Sequence, residues 1–177
     1  MWYTAEHFTL SLMQKKWLTS QASLTKLLTE VADGDFAIDL QYEFFSSAID
    51  ELINGSVLAT LNGSFFIRET ILTGHKNPWV YARTAIPKKT LAAQYAALSQ
   101  LGNSSLGNYL FSQTSLHRMT PEIAYLDKNN LLYRRASEAI QQSNLPNLWA
   151  RRSIFTVDEM PLLVSETFLP GFWKEVE

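Results

Sequence analysis

SFFIRETILTGHKNPWVYARTAIP, residues 64–87, is the stretch that decides the fold. SFFIRETILT and PWVYARTAIP are both rich in β-branched and aromatic residues, and GHKN between them has the composition of a tight connection. Two such runs around so short a loop pair antiparallel, so a hairpin is expected. The end of the chain repeats the pattern. ARRSIFTV and MPLLVSETFLP flank Asp158 and Glu159, with Pro170 and Gly171 expected to end the last strand.

Outward from the first hairpin, DFAIDLQYEFF alternates Phe36, Ile38, Leu40, Tyr42 and Phe44 with Ala37, Asp39, Gln41 and Glu43, which predicts a half-buried strand. Leu10 to Leu18 has helix-compatible spacing. Ser20 or Ser23 can cap a second helix over ASLTKLLTEVA, which Gly34 would stop. SAIDELI is a short helix candidate, and Asn54 and Asn62, each followed by glycine, are turn signals. KKTLAAQYAALSQLG reads as one helix ending at Gly102. Residues 104–115 read as irregular and 120–145 as polar, with SEAIQQS a further helix candidate. Helices combined with hairpin-joined strands predict an α+β fold with an antiparallel sheet, in one domain over residues 1–177.

Composition narrows the function classes. The chain has 46% hydrophobic residues, with 10 Phe, 7 Tyr and 5 Trp, enough for a packed core. A net charge of -2 gives no global field favouring nucleic acid. The pairs Lys15-Lys16, Lys88-Lys89, Arg134-Arg135 and Arg151-Arg152 are scattered and read mostly as solvated faces. Without cysteine there is no disulfide, no thiolate metal site and no thiol nucleophile. His7, His75 and His117 share no metal-ligand spacing. There is no G-x-G-x-x-G, no P-loop and no G-x-S-x-G; GNSSLG at 102–107 reads as a turn. MWYTAEHFTLSLM lacks the basic start and apolar core of a secretory signal, and no apolar run approaches the ~20 residues that span a bilayer. The sequons at Asn54, Asn62 and Asn103 are then accidental, and a cytoplasmic protein is expected. Dispersed charge and the lack of a heptad seam predict a monomer.

The remaining signal is charge inside apolar strands. Arg68 shares a face with Phe66 and Leu72, and Glu69 shares the other with Phe65, Ile67 and Ile71. Glu166 lies in line with Leu162, Val164 and Phe168, and Arg83 with Trp79 and Tyr81. A buried charge needs a partner. Pattern alone leaves two readings open: a structural Arg–Glu bridge or an edge position reaching solvent, or a pocket in which arginine holds a carboxylate and glutamate handles a proton or hydroxyl.

IRETILTGHKNPWVYARTAIP, SLGNYLFSQTSL and LWARRSIFTVDEMPLLVSETFLP, in that order, resemble the chorismate pyruvate-lyase family, and WLTSQASLTKLL is similar to its early helix. The likeness runs from about Lys16 to Phe172 and is weak between about 46 and 63. It implies helices packed on an antiparallel sheet, with helical flaps over a buried ligand pocket. The implied activity is conversion of chorismate to 4-hydroxybenzoate and pyruvate, on the way to ubiquinone, without metal or cofactor. The resemblance puts the product-binding arginine on Arg68 and the functional glutamate on Glu166. It puts covering backbone groups at Leu24 and at Leu106 beside Gly107, and an arginine linked to a second ligand site on Arg83. Three departures are visible. The stretch from His117 to Trp149 is longer than usual, Leu24 replaces a methionine, and Ala82 replaces a glycine. The runner-up is the related effector-sensing domain of bacterial transcription regulators. Against it, the ~35 residues before the first strand show no helix-turn-helix pattern.

Overall fold

A computed structural model of the chain describes residues 1–47, 58, 63–93 and 96–177. The helix expected over SAIDELI and the turn signals at Asn54 and Asn62 lie outside them.

The first hairpin is formed by β2 (Phe65–Gly74) and β3 (Asn77–Pro87), paired antiparallel from Phe65↔Pro87 to Gly74↔Asn77. His75 and Lys76 connect them with φ of 50° and 61°, the left-handed pair whose twist suits a hairpin. Gly74 is itself not left-handed; it is needed for space. A Cβ there would meet the Trp79 ring at 2.1 Å. The second hairpin, β6 (Leu148–Val157) and β7 (Met160–Phe168), turns the same way through Asp158 and Glu159. β7 pairs with β3, which fuses the two hairpins into one sheet.

With β1 (Phe36–Ser46), β4 (His117–Arg118) and β5 (Glu122–Leu126) the sheet has seven strands in the order β1-β2-β3-β7-β6-β4, with β5 also on β6. Every pairing is antiparallel. The α+β expectation holds.

One face carries Leu72, Val80 and Phe168, covered by α1 (Leu12–Leu18), α2 (Leu24–Val31) and α6 (Pro170–Val176) through Trp17, Leu18, Leu28 and Phe172. Further along that face Phe66, Phe155 and Val164 meet Leu106 and Leu110 of α4 (Leu106–Phe111) and Leu91 of α3 (Lys88–Ala93). α5 (Leu131–Ala139) covers the opposite face, where Leu132, Tyr133 and Ala136 pack on Ile71 and Tyr81. Ser11 caps α1 in a reciprocal box with Gln14, and Ser23 rather than Ser20 caps α2.

Several local expectations are corrected. The alternation of β1 breaks at a bulge between Leu40 and Tyr42, which swaps faces: Tyr42 is 60% exposed and Glu43 turns inward. A second register shift between Leu72 and Thr73 puts Trp79 with Leu72 and Phe172, out of line with Tyr81 and Arg83. The predicted helix over 88–102 contains α3 and a separate 3-10 turn, Ala96–Gln100. The polar stretch 120–145 supplies β5 and α5, the helix starting earlier than SEAIQQS at the Asn130 cap. Pro170 ends β7 but also starts α6, where its missing N–H is harmless. Arg151 and Arg152, expected on a solvated face, are 0% and 2% exposed because both lie in the inner strand β6.

Candidate active site

A cavity of about 50 Å³ lies between the sheet and the helices α2 and α4. Its floor is Arg68, Thr70 and Leu72 of β2, Ala82 and Thr84 of β3, Val164 and Glu166 of β7 and Phe155 of β6. Its cover is Leu24 and Thr25 at the start of α2 and Leu106, Gly107, Leu110 and Phe111 of α4. Leu24 and Leu106 are each the first residue of their helix, after the caps Ser23 and Ser105. Backbone N–H groups in a helix's first turn have no partner within the helix and suit an anion. The two covers touch: Ser105 Oγ donates to Thr25 Oγ1 at 3.0 Å, and a Cβ on Gly107 would lie 3.0 Å from that same atom.

Arg68 is 4% exposed. Its Nη2 donates to the carbonyls of Gly102 and Ser104 at 2.7 and 3.0 Å, and its Nε lies 3.3 Å from Glu43 Oε1. Arg68 therefore ties the approach to α4 to the sheet. Burial pushes its guanidinium below the usual range, and the Glu43 carboxylate opposes that shift.

Glu166 lies two strands away on β7, roughly 10 Å across the sheet. Its Oε2 accepts from Arg151 Nε at 2.5 Å and lies 3.9 Å from Arg118 Nη2. Arg151 Nη1 also donates to the carbonyls of Trp17 and Ser20, at 2.7 and 3.1 Å. Arg118 Nε donates to Ser153 Oγ at 3.1 Å, and its Nη1 to the carbonyls of Ser20 and Ala22 at 3.1 and 3.2 Å. Burial, with the Arg151 charge next in weight, lowers the Arg118 guanidinium to about 10, against the pull of Glu166.

The structure thus brings Arg68, Glu166, Leu24, Leu106 and Gly107 to one cavity. It does not bring Arg83 there. Arg83 lies on the opposite sheet face, where its Nη1 contacts Glu69 Oε1 at 2.5 Å, beside Tyr81. Burial, and after it the Glu69 carboxylate, push the Tyr81 hydroxyl well above the ordinary phenol range. Reasoning from sequence missed Arg118, Arg151 and Glu43. The signal for Arg151 was its place in an apolar run opposite Glu166; for Arg118, on a two-residue strand, there was none.

Residues 1–177 match the protein family described as chorismate lyase. A protein of Psychromonas ingrahamii named probable chorismate pyruvate-lyase is 35% identical over 88% of this chain and 81% of its own length. One of Pseudomonas putida with the same name is 34% identical over 99% of this chain and 92% of its own. Among solved structures, the effector domain of PhnF from Mycobacterium smegmatis superposes with a TM-score of 0.54 at 15% identity, covering 87% of this chain and 90% of that one. That last likeness is one of fold.

Proposed function

The chain belongs to the chorismate lyase family, and we propose that it eliminates pyruvate from chorismate to leave 4-hydroxybenzoate, with Arg68 and Glu166 as the working groups. One observation carries the assignment to this site: a cavity under two helix N-termini holds Arg68 on one side and Glu166 on the other. Chorismate has its ring carboxylate and its 4-hydroxyl at opposite ends of a cyclohexadiene ring. Arg68 and the backbone N–H groups of Leu24, Leu106 and Gly107 are suited to the carboxylate. Oε1 of Glu166, which has no partner among the described residues, is suited to the hydroxyl.

The reaction asks little beyond position and charge. The C3–O bond breaks with its electron pair on the enolpyruvyl oxygen. C4 loses its hydrogen as a proton and the ring becomes aromatic. The enolpyruvate methylene takes up one proton to become pyruvate, so the balance needs no oxidant or reductant. Fixing the conformer and neutralising charge as it develops suffices. A cytoplasmic, monomeric, cofactor-free enzyme making the ubiquinone head-group precursor completes the proposal.

Regulator effector domains share the fold, and a purely sensing role would bind chorismate without changing it. Incubation of the purified protein with chorismate separates the two. Stoichiometric pyruvate and 4-hydroxybenzoate are expected; recovery of intact chorismate would overturn the enzymatic reading.

A further inference from the structure

We propose that Arg118 binds the second, side-chain carboxylate of the substrate, making the site selective for a dicarboxylate over the monocarboxylate product. The inference rests on the reading of Arg68 and Glu166 given above. The enolpyruvyl group hangs from the ring carbon next to the one bearing the hydroxyl. A ring held by Arg68 and Glu166 therefore delivers the second carboxylate close to Glu166, an acidic side chain that repels it. A cation is needed at that end.

Two arginines are there, and only one of them lines the cavity. Arg151 is 0% exposed, is bound to Glu166 and to two backbone carbonyls, and does not line the cavity. Arg118 does line it. Its Nε and Nη1 are bonded to Ser153, Ser20 and Ala22, and its guanidinium lies 4.9 Å from the centre of the Phe155 ring. Its Nη2 meets Glu166 only at 3.9 Å, beyond hydrogen-bond reach. Arg118 is thus held rigidly at three corners with two donors left over beside the cavity, the arrangement suited to an arriving carboxylate. Burial first, and then the Arg151 charge, lower this guanidinium's affinity for its proton, against the pull of Glu166. When the C3–O bond breaks, the new charge forms next to that carboxylate and within reach of the same cation. After pyruvate leaves, the product offers Arg118 nothing.

The test compares Arg118→Gln and Arg118→Lys with the wild type, reading kcat/KM for chorismate and the inhibition constant of 4-hydroxybenzoate. Arg118→Gln should lose about 30-fold or more in kcat/KM. Product affinity should move less than about threefold, and Arg118→Lys should recover part of the loss. Should the Gln variant fail to fold, the wild type is measured against chorismate amidated at the side-chain carboxylate, which should bind about 30-fold or more weakly for the same reason. Parallel shifts in kcat/KM and product affinity, or an unaffected kcat/KM, would overturn the assignment. Failure of the wild type itself to release pyruvate from chorismate would instead sink the reading on which it rests.

Discussion

Arg151 and Glu166 are register partners on β6 and β7, and their side chains meet with Nε 2.5 Å from Oε2. The contact joins the catalytic candidate to the cover of the site, because the same guanidinium holds the carbonyls of Trp17 and Ser20 ahead of α2. For Glu166 the bridge of the first reading is present, and the residue also lines the cavity on which the second reading is proposed. Oε2 is committed to the bridge, and Oε1 is the oxygen the proposal assigns to the substrate hydroxyl.

That division sets the expectation for Glu166→Gln. The amide keeps a bonded oxygen towards Arg151 and removes the charge. We expect a folded protein with a melting temperature within about 4 °C of the wild type, the shift that roughly 1 kcal/mol produces at this size. Pyruvate release should fall by about tenfold or more, the usual scale for removing a group that acts on a proton. A strongly destabilised variant with normal turnover per folded molecule would return Glu166 to a structural role.

Arg68→Ala removes the cation and also releases the carbonyls of Gly102 and Ser104 that lead into α4. Chorismate binding should weaken by roughly 2–5 kcal/mol, the scale for truncating one partner of a buried charge pair. Arg68→Lys should restore only part of this, since an ammonium cannot span two carbonyls, Glu43 and a ligand as a planar fork does. Calorimetric titration with 4-hydroxybenzoate checks the order wild type, Lys, Ala. Equal affinity in all three would remove Arg68 from the site.

Much of this was legible in the chain, for physical reasons. The two hairpins announce themselves because residues of strand type flank connections too short for anything else. Arg68 and Glu166 stand out because charge is expensive on an apolar strand. The partners were harder. Glu43 sits on the polar stripe of a regular alternation, and only the bulge before Tyr42 turns it towards Arg68; a single extra residue in a ladder leaves little mark on composition. Arg118 depends on β4 crossing to β6, a contact between residues 35 or more positions apart with no local signal. Arg83 pairs with Glu69 on the far face.

Gly74→Ala should destabilise the fold without touching the chemistry. The added Cβ would lie 2.1 Å from the ring of Trp79, which is 0% exposed and packed against Phe172 and His75. Relief requires moving a buried indole, and overpacking of this kind typically costs about 1–3 kcal/mol or more. Thermal unfolding should show the loss, with kcat per folded molecule unchanged. An unaltered melting temperature would mean the ring has room that the packing denies.

Activity should survive exhaustive treatment with EDTA followed by dialysis. His7 is stacked on Tyr3 and His75 bonded to the Ala32 carbonyl, and no metal-competent group of three ligands gathers among the described residues. Loss of turnover that only an added divalent ion restores would demand a different mechanism.

Product release should depend on the seam between α2 and α4. The cavity lies under Leu24 and Thr25 of α2 and Leu106, Gly107 and Leu110 of α4, so entry of chorismate and departure of 4-hydroxybenzoate are expected to part these covers. The hydrogen bond from Ser105 Oγ to Thr25 Oγ1 crosses that seam. Ser105 also caps α4 through the Asn108 N–H, so changing it would damage the helix as well. Thr25 is the cleaner handle: Thr25→Val keeps the shape and deletes the acceptor, a loss on the order of 1 kcal/mol from the closed state alone. If closure retains the product, its inhibition constant should rise by about three- to tenfold. If release limits turnover, kcat should rise with it, while the chemical step measured in a single turnover stays close to wild type. Unchanged product inhibition in Thr25→Val would show that the two helices do not open as a gate along this seam.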